Sequence, residues 1–308
     1  MGWLRRSPAR TVTRGRSWRD PILDAALAEA EEGRLGAART VLGECRDQPE
    51  IRVFRVGELA EALIGFGDEI ATIAGAGDAD LLLLSGAVFV REAWAVRGAG
   101  RAETVGAPRF RIFHNHLAQA VAPLRAAAGL LPGDPVPWSE MDPVARGLEF
   151  DRGEQDALWA EIASRCPTMT VAVRRRLQSL APKWGGDETA MIEFARASVA
   201  AAPPGHPVAA VIAEAQFEGA AHRSVPVARY ARAARAELVA ASTKLLTTPL
   251  SLPQTCWAHN AFAAVFSALD DAAHAVPHLR AMNDHLNDAA WAFVGGEAAY
   301  QRAAAKYL

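Results

Sequence analysis

Apolar side chains recur along this chain at intervals of three and four, and no stretch alternates apolar with polar at a period of two. The first pattern lines one face of a helix, and the second would have marked a half-buried strand. Beginning at Ile22, the positions Ala25, Ala26 and Ala30 trace a helix that Gly33 stops, and a second amphipathic stretch runs from Leu35 to Cys45. The same reading carried along the chain predicts helical hairpins over 20–46, 50–75, 79–130, 136–165, 168–202, 206–247 and 253–287, then a terminal helix from 287 to 307. Proline punctuates this series. Pro132, Pro167 and Pro203 stand 35 and 36 residues apart, each a few residues ahead of a fresh amphipathic stretch. After Pro132, Asp134 and Pro135 read as a helix cap and first helical residue. The third hairpin carries a long interruption, 98–113, between its two helices.

Composition sharpens the class. Alanine makes up about a fifth of the 308 residues and Tyr occurs 3 times, so the chain is rich in helix formers and poor in strand formers. With 51% hydrophobic and 22% charged residues it is an ordinary globular composition, neither collagenous nor disordered. Three separated cysteines, Cys45, Cys166 and Cys256, exclude a disulfide scaffold and suit a reducing, cytoplasmic setting. The longest apolar run, Leu81 to Val90, is about half of what a membrane-spanning helix needs, so no membrane partner is expected. Residues 1–19 hold six arginines and no acid, which leaves −8 for residues 20–308 within the chain's net −2. The reading is a basic, disordered extension over 1–19 and a helical-repeat domain over 20–308. Lys occurs only at 183, 244 and 306, and nucleic acid is not expected as a partner.

Two strings carry a resemblance. The turn from Gly33 to Ala38 resembles that of a tetratricopeptide repeat, and Ala120, Leu124, Ala127, Pro132 and Trp138 reproduce the spacing of such a repeat's second helix, its closing proline and the next helix. Residues 181–196, with Glu92, Trp94, Arg97 and Gly98, are also similar to a family of uncharacterised bacterial helical-repeat proteins. The resemblance implies a superhelical array of antiparallel hairpins and, for the tetratricopeptide class, recognition of extended peptides or partner helices. The Lys and Asn carboxylate clamp of one variety of that class has no counterpart that the sequence can place here.

Candidate site residues follow from residue type. Trp94 with Arg97 on one helix combines the two side chains most common at binding hot spots. His114, with His116, closes the interruption of the third hairpin, where loops on a scaffold often bind. Trp184, Gly185 and Gly186 pair a bulky anchor with backbone that a ligand can approach, although a helix end followed by a tight turn accounts for them equally. Asp270, His274 and His278 have the four-residue spacing of metal ligands on a helix face, with Pro277 placed to kink that helix. Phosphate loops, GxSxG and HExxH are all absent from the sequence. No cofactor and no catalytic residue are therefore expected. The reading is a protein- or peptide-binding adaptor of unidentified partner and oligomeric state. The alternative is an enzyme or biosynthetic auxiliary holding a small molecule or metal in a pocket of the array.

Overall fold

A computed structural model describes residues 10–98, 106–248 and 250–308. Among them the regular structure is helical, apart from a single bridge that pairs Thr13 with His285. No described helix is long and apolar enough to cross a membrane. The chain forms two compact units, residues 20–179 and residues 10–19 with 180–308.

The N-terminal unit holds α1 (Pro21–Glu31), α2 (Gly36–Gly43), α3 (Pro49–Ala62), α4 (Gly67–Ala74), α5 (Ala79–Arg97), α6 (Ala107–Leu130), α7 (Val136–Gly147), α8 (Arg152–Ala163) and α9 (Thr170–Leu180). Prolines open α1, α3 and α6, where a missing N–H costs nothing, and Asp20, Asp78 and Asp151 cap α1, α5 and α8. The apolar run of α5 is buried on every side because α3, α4, α6 and α7 all pack on it. Gly86 permits the closest approach: a Cβ there would lie 2.5 Å from Leu124 of α6. Ala120, Leu124 and Ala127, singled out by their spacing, are all in this core. Helix α6 begins at Ala107, so the interruption expected over 98–113 is shorter at its C-terminal end; residues 99–105 lie outside the described residues.

A cluster of charge sits inside this unit. Arg52 and Arg55, one turn apart on α3, point at helix ends. Arg52 donates from Nε to Asp134 Oδ2 (2.7 Å), from Nη2 to Asp80 Oδ1 (2.8 Å) and from Nη1 to the Leu42 carbonyl (2.6 Å). Arg55 donates from Nε to Asp20 Oδ2 (2.7 Å) and from Nη1 to the Val41 carbonyl (2.8 Å). Asp20 and Asp134 also accept backbone N–H groups at the starts of α1 and α7. Two guanidinium groups therefore tie the starts of α1, α5 and α7 to the end of α2, satisfying carbonyls and carboxylates that burial would otherwise strand.

The C-terminal unit holds α10 (Glu188–Ala201), α11 (Val211–His222), α12 (Val227–Tyr230), α13 (Arg235–Thr247), α14 (Thr255–Ala268), α15 (Ala272–Ala281), α16 (Asp288–Ala292) and α17 (Gly296–Tyr307). Its centre is α11 and α14, buried almost throughout and packed on one another. The terminal helix expected over 287–307 is two helices, divided at Gly295 and Gly296, both in the left-handed region. Pro277 does not break α15. It lies in the second turn of a helix starting at Ala272, so its missing N–H removes one intrahelical bond near an end.

Residues 10–19 group with the C-terminal unit, and Arg10 and Arg14 pair with Asp284, Asp288 and Glu297, acids more than 260 residues away in sequence. Arg5 and Arg6 lie outside the described residues.

Candidate functional site

Three of the residues chosen from sequence meet in the N-terminal unit. Trp94, half-buried at the end of α5, takes the ring of Phe113 edge-on, with centroids 5.1 Å apart and planes at 79°. The Arg97 guanidinium lies 5.3 Å from the Trp94 ring centroid, and Arg146 of α7, which the sequence did not nominate, lies 5.4 Å from it. His114 is exposed on α6, its ring 5.3 Å from Phe113 and 5.8 Å from Phe110. The result is an aromatic patch bearing two guanidinium groups.

His116 contacts a different surface. Its Nδ1 is 3.0 Å from Glu92 Oε2, an ion-pair distance without the alignment of a hydrogen bond. Glu92 Oε1 accepts the Gly65 N–H at 2.8 Å. Glu92 and His116 line a cleft of about 510 Å³ with Phe89, Asn115 and Gln119.

Trp184, Gly185 and Gly186 form a turn in the C-terminal unit. Residues Pro182–Trp184 make one 3₁₀ turn, and Gly185 ends it in the left-handed region at φ 75°. A Cβ on Gly186 would sit 2.0 Å from the Leu180 carbonyl oxygen, and Asp187 then caps α10 by accepting the Ala190 N–H at 2.9 Å. Gly185 takes a left-handed φ that side chains rarely adopt, and Gly186 leaves no room for a Cβ.

Asp270, His274 and His278 do not converge. Asp270 precedes α15 with φ 57° and binds Tyr307 Oη (2.5 Å) and Lys306. His274 Nδ1 pairs with Asp271 Oδ1 at 2.8 Å. His278 is wholly buried: Ser242 Oγ lies 2.7 Å from its Nε2, and His259 Nδ1 lies 2.8 Å from its Nδ1. With both rings neutral, one Nδ1 donates and the other accepts, and either tautomer leaves Ser242 bonded. Burial pulls His259 down to about 4 and His278 down to about 3, the latter helped by the neighbouring imidazoles. Among the described residues no group of three or more His, Cys, Asp or Glu side chains is placed to hold a metal ion.

The most fully built recognition geometry belongs to a surface the sequence did not nominate. The link between α15 and α16, residues 282–287, is fastened from inside by Asn260 of α14. Its Nδ2 donates to the carbonyls of Cys256 and His285 (both 2.9 Å), while its Oδ1 accepts from Asn287 N (2.9 Å) and Trp291 Nε1 (3.0 Å). All four hydrogen-bonding positions of the amide are used.

On this framework lies the extended segment 10–15. Gln301 brackets Arg10, accepting its N–H (2.9 Å) and donating to its carbonyl (2.8 Å). Thr13 pairs as a strand would, its N–H to the Asp284 carbonyl (3.0 Å) and its carbonyl to the Leu286 N–H (2.9 Å). His285 Nε2 reaches the Gly15 carbonyl at 2.9 Å. The Arg10 side chain forks onto both oxygens of Asp284 (2.6 and 2.8 Å), and Arg14 spans Asp288 (2.8 and 3.2 Å) and Glu297 (2.7 Å). Hydrogen bonds from Arg10 and Arg14 hold the Asp284 and Glu297 carboxyls below their ordinary range.

No family model matches this chain, and no curated protein matches it. The tetratricopeptide likeness therefore rests on the sequence spacing alone. Sequence reasoning missed Asn260, Ser242, His259 and the acids at 284 and 297. Only the charge imbalance between 1–19 and the rest pointed toward the last group.

Proposed function

We propose that the protein is a peptide- or protein-binding helical module, an adaptor or scaffold with a tetratricopeptide-like superhelical arrangement of its hairpins. One observation carries the reading: the C-terminal unit holds an extended segment through five main-chain hydrogen bonds and two arginine clamps. Main-chain bonds provide affinity for any extended backbone, and side-chain pockets provide selectivity, which is the division of labour in strand-type peptide recognition. The Trp94 patch is a second surface of the right composition for a partner.

The test is calorimetric titration of a synthetic peptide of residues 8–19 into full-length protein carrying R10A and R14A, which removes both side-chain clamps of the resident segment. Saturable one-to-one binding that D284N removes is expected. A peptide that gives no binding heat at any temperature, and no other binding signal, overturns the reading.

The cleft beside Glu92 and His116 favours a second reading, a small-molecule site on the N-terminal unit. Its volume is within the range of ligand pockets and both apolar and polar groups line it. Crystals soaked with a fragment library should show fragments gathered there; a cleft left empty by every fragment removes this reading.

A further inference from the structure

We infer that residues 10–15 are a resident pseudo-ligand, and that the same groove receives, from a partner protein, an extended segment with two arginines four residues apart. This rests on the peptide-binding reading and specifies its ligand.

Spacing is the first argument. Arg10 and Arg14, four residues apart on a segment that pairs at Thr13 as a strand does, reach separate acids, one Asp284 and the other Asp288 and Glu297. Guanidinium chemistry is the second. Arg10 engages Asp284 through Nε and Nη2 together, a two-pronged contact that a lysine ammonium cannot reproduce. The positions between them are read differently. Thr13 offers its hydroxyl to His285 Nδ1 at 3.2 Å, and Gly15 adopts φ 85°, so a ligand that continues past that point needs glycine there. The recognised pattern is Arg-x-x-Thr-Arg-Gly, with Ser an acceptable alternative to Thr.

The acceptor is fastened by contacts other than those of its occupant. Asn283 and Asp284 take left-handed backbone, φ 46° and 58°, just past the end of α15, where Asn and Asp tolerate it. Asn260 holds the residues that follow through the His285 carbonyl and the Asn287 N–H. Tyr300, itself buried, bonds the Asp284 carboxylate. The clamps on the occupant are reachable from solvent: the Arg10 and Arg14 side chains are each 43% exposed. An acceptor whose clamps face solvent is the arrangement that a matching segment in trans can enter.

The experiment compares full-length wild type with full-length R10A/R14A, using a fluorescein-labelled peptide of residues 8–19 at low salt and reading anisotropy. The variant is expected to bind at least tenfold more tightly than wild type, because its own segment competes without either arginine clamp. In the variant, a peptide with both arginines changed to lysine, or with one alanine inserted between them, should bind at least tenfold more weakly. Circular dichroism of the variant should match wild type, since both substituted side chains are exposed. Equal affinity of wild type and variant overturns the pseudo-ligand inference while leaving peptide binding intact. Equal binding of the lysine or inserted peptide overturns the arginine spacing. Absence of binding to the variant overturns this inference together with the reading beneath it.

Discussion

Both units bury polar side chains, but the balance between ions and neutral groups differs. Inside the N-terminal unit a network of ions is enclosed: Arg52 and Arg55 against Asp20, Asp80 and Asp134, and Glu140 against Arg175 (2.8 Å) and Arg91 (3.3 Å). Inside the C-terminal unit the wholly buried polar groups are neutral, Asn260 with its four bonds and His278 in the chain from Ser242 to His259, while its buried acids Glu214 and Glu218 lie nearer the surface, Glu218 paired with Lys183 (2.8 Å). His206, also buried, is pulled down to about 4 by desolvation. Charge burial is tolerable only where the partner is already in place, whereas a neutral imidazole is tolerable until the pH forces a proton onto it. The two halves should therefore fail under different insults.

The largest effect is expected from removing one partner of the buried ion cluster. Arg52→Ala takes a buried partner from two carboxylates and one carbonyl, and should cost the N-terminal unit about 3–5 kcal/mol in urea denaturation. A loss below about 1 kcal/mol would mean that water replaces the guanidinium, and the contrast between the units would weaken.

Acid provides the converse. His206, His259 and His278 have folded pKa values below the 6.5 of a free imidazole, so the unfolded chain takes up protons that the folded unit refuses. Stability conferred above pH 6.5 is lost as the pH falls from there toward about 4. Three such groups amount to at most about 4 kcal/mol per pH unit. Hydrogen exchange, corrected for intrinsic rates, should show α13, α14 and α15 losing protection between pH 7.5 and 5.5. Helices α3 and α5 should hold, because Asp20 and Glu140 have lowered pKa values and lose their contribution only below the ordinary carboxylate range. A double substitution, H259F with H278F, should remove most of the pH slope.

Glu50 sharpens the comparison by being the exception in its own unit. Its carboxylate end is enclosed, with Oε1 accepting the N–H and the hydroxyl of Thr170 (2.6 and 2.7 Å), and burial pushes it up to about 7. A raised acid contributes stability below pH 4.5 and loses it as the pH rises through 7. Glu50→Gln should therefore stabilise the N-terminal unit by about 2–3 kcal/mol at pH 8 and change little at pH 4, measured by urea denaturation at both values.

The smallest effect is at the resident segment. R14A alone should leave the thermal midpoint unchanged while increasing proteolysis within residues 10–19, since the contact it removes is exposed. A fall of several degrees would mean that the segment is structural.

What the sequence disclosed, and what it hid, follows from contact range. Helix boundaries are local, so Gly33, Pro49, Asp134 and Pro135 announced them, and the three-to-four spacing of Ala120, Leu124 and Ala127 marked a buried face. Trp94, Arg97 and His114 were legible by residue type, and α5 and α6 bring them together. The glycines at 185 and 186 were legible as a turn, and the 2.0 Å approach to the Leu180 carbonyl gives the second of them a backbone reason. His278 was noticed for a metal that needed Asp270 and His274 beside it, but its partners come from α13 and α14. Contacts such as Ser242 with His278, or Arg10 with Asp284, join residues 36 to 274 apart and leave no periodic trace. The helical class was readable; the two-unit division and the peptide groove were not.

The reach of Arg52 also sets a timetable for the nascent chain. Asp80 is 28 residues downstream and Asp134 is 82. At about 5–20 residues per second, the second carboxylate is synthesised some 4–16 s after the arginine. Until then the guanidinium has only part of its buried partnership, and α3 has reason to keep it in water. The N-terminal unit is in this sense locked by its seventh helix, and a ribosome stalled before residue 134 should hold a chain whose first five helices are formed but not yet closed.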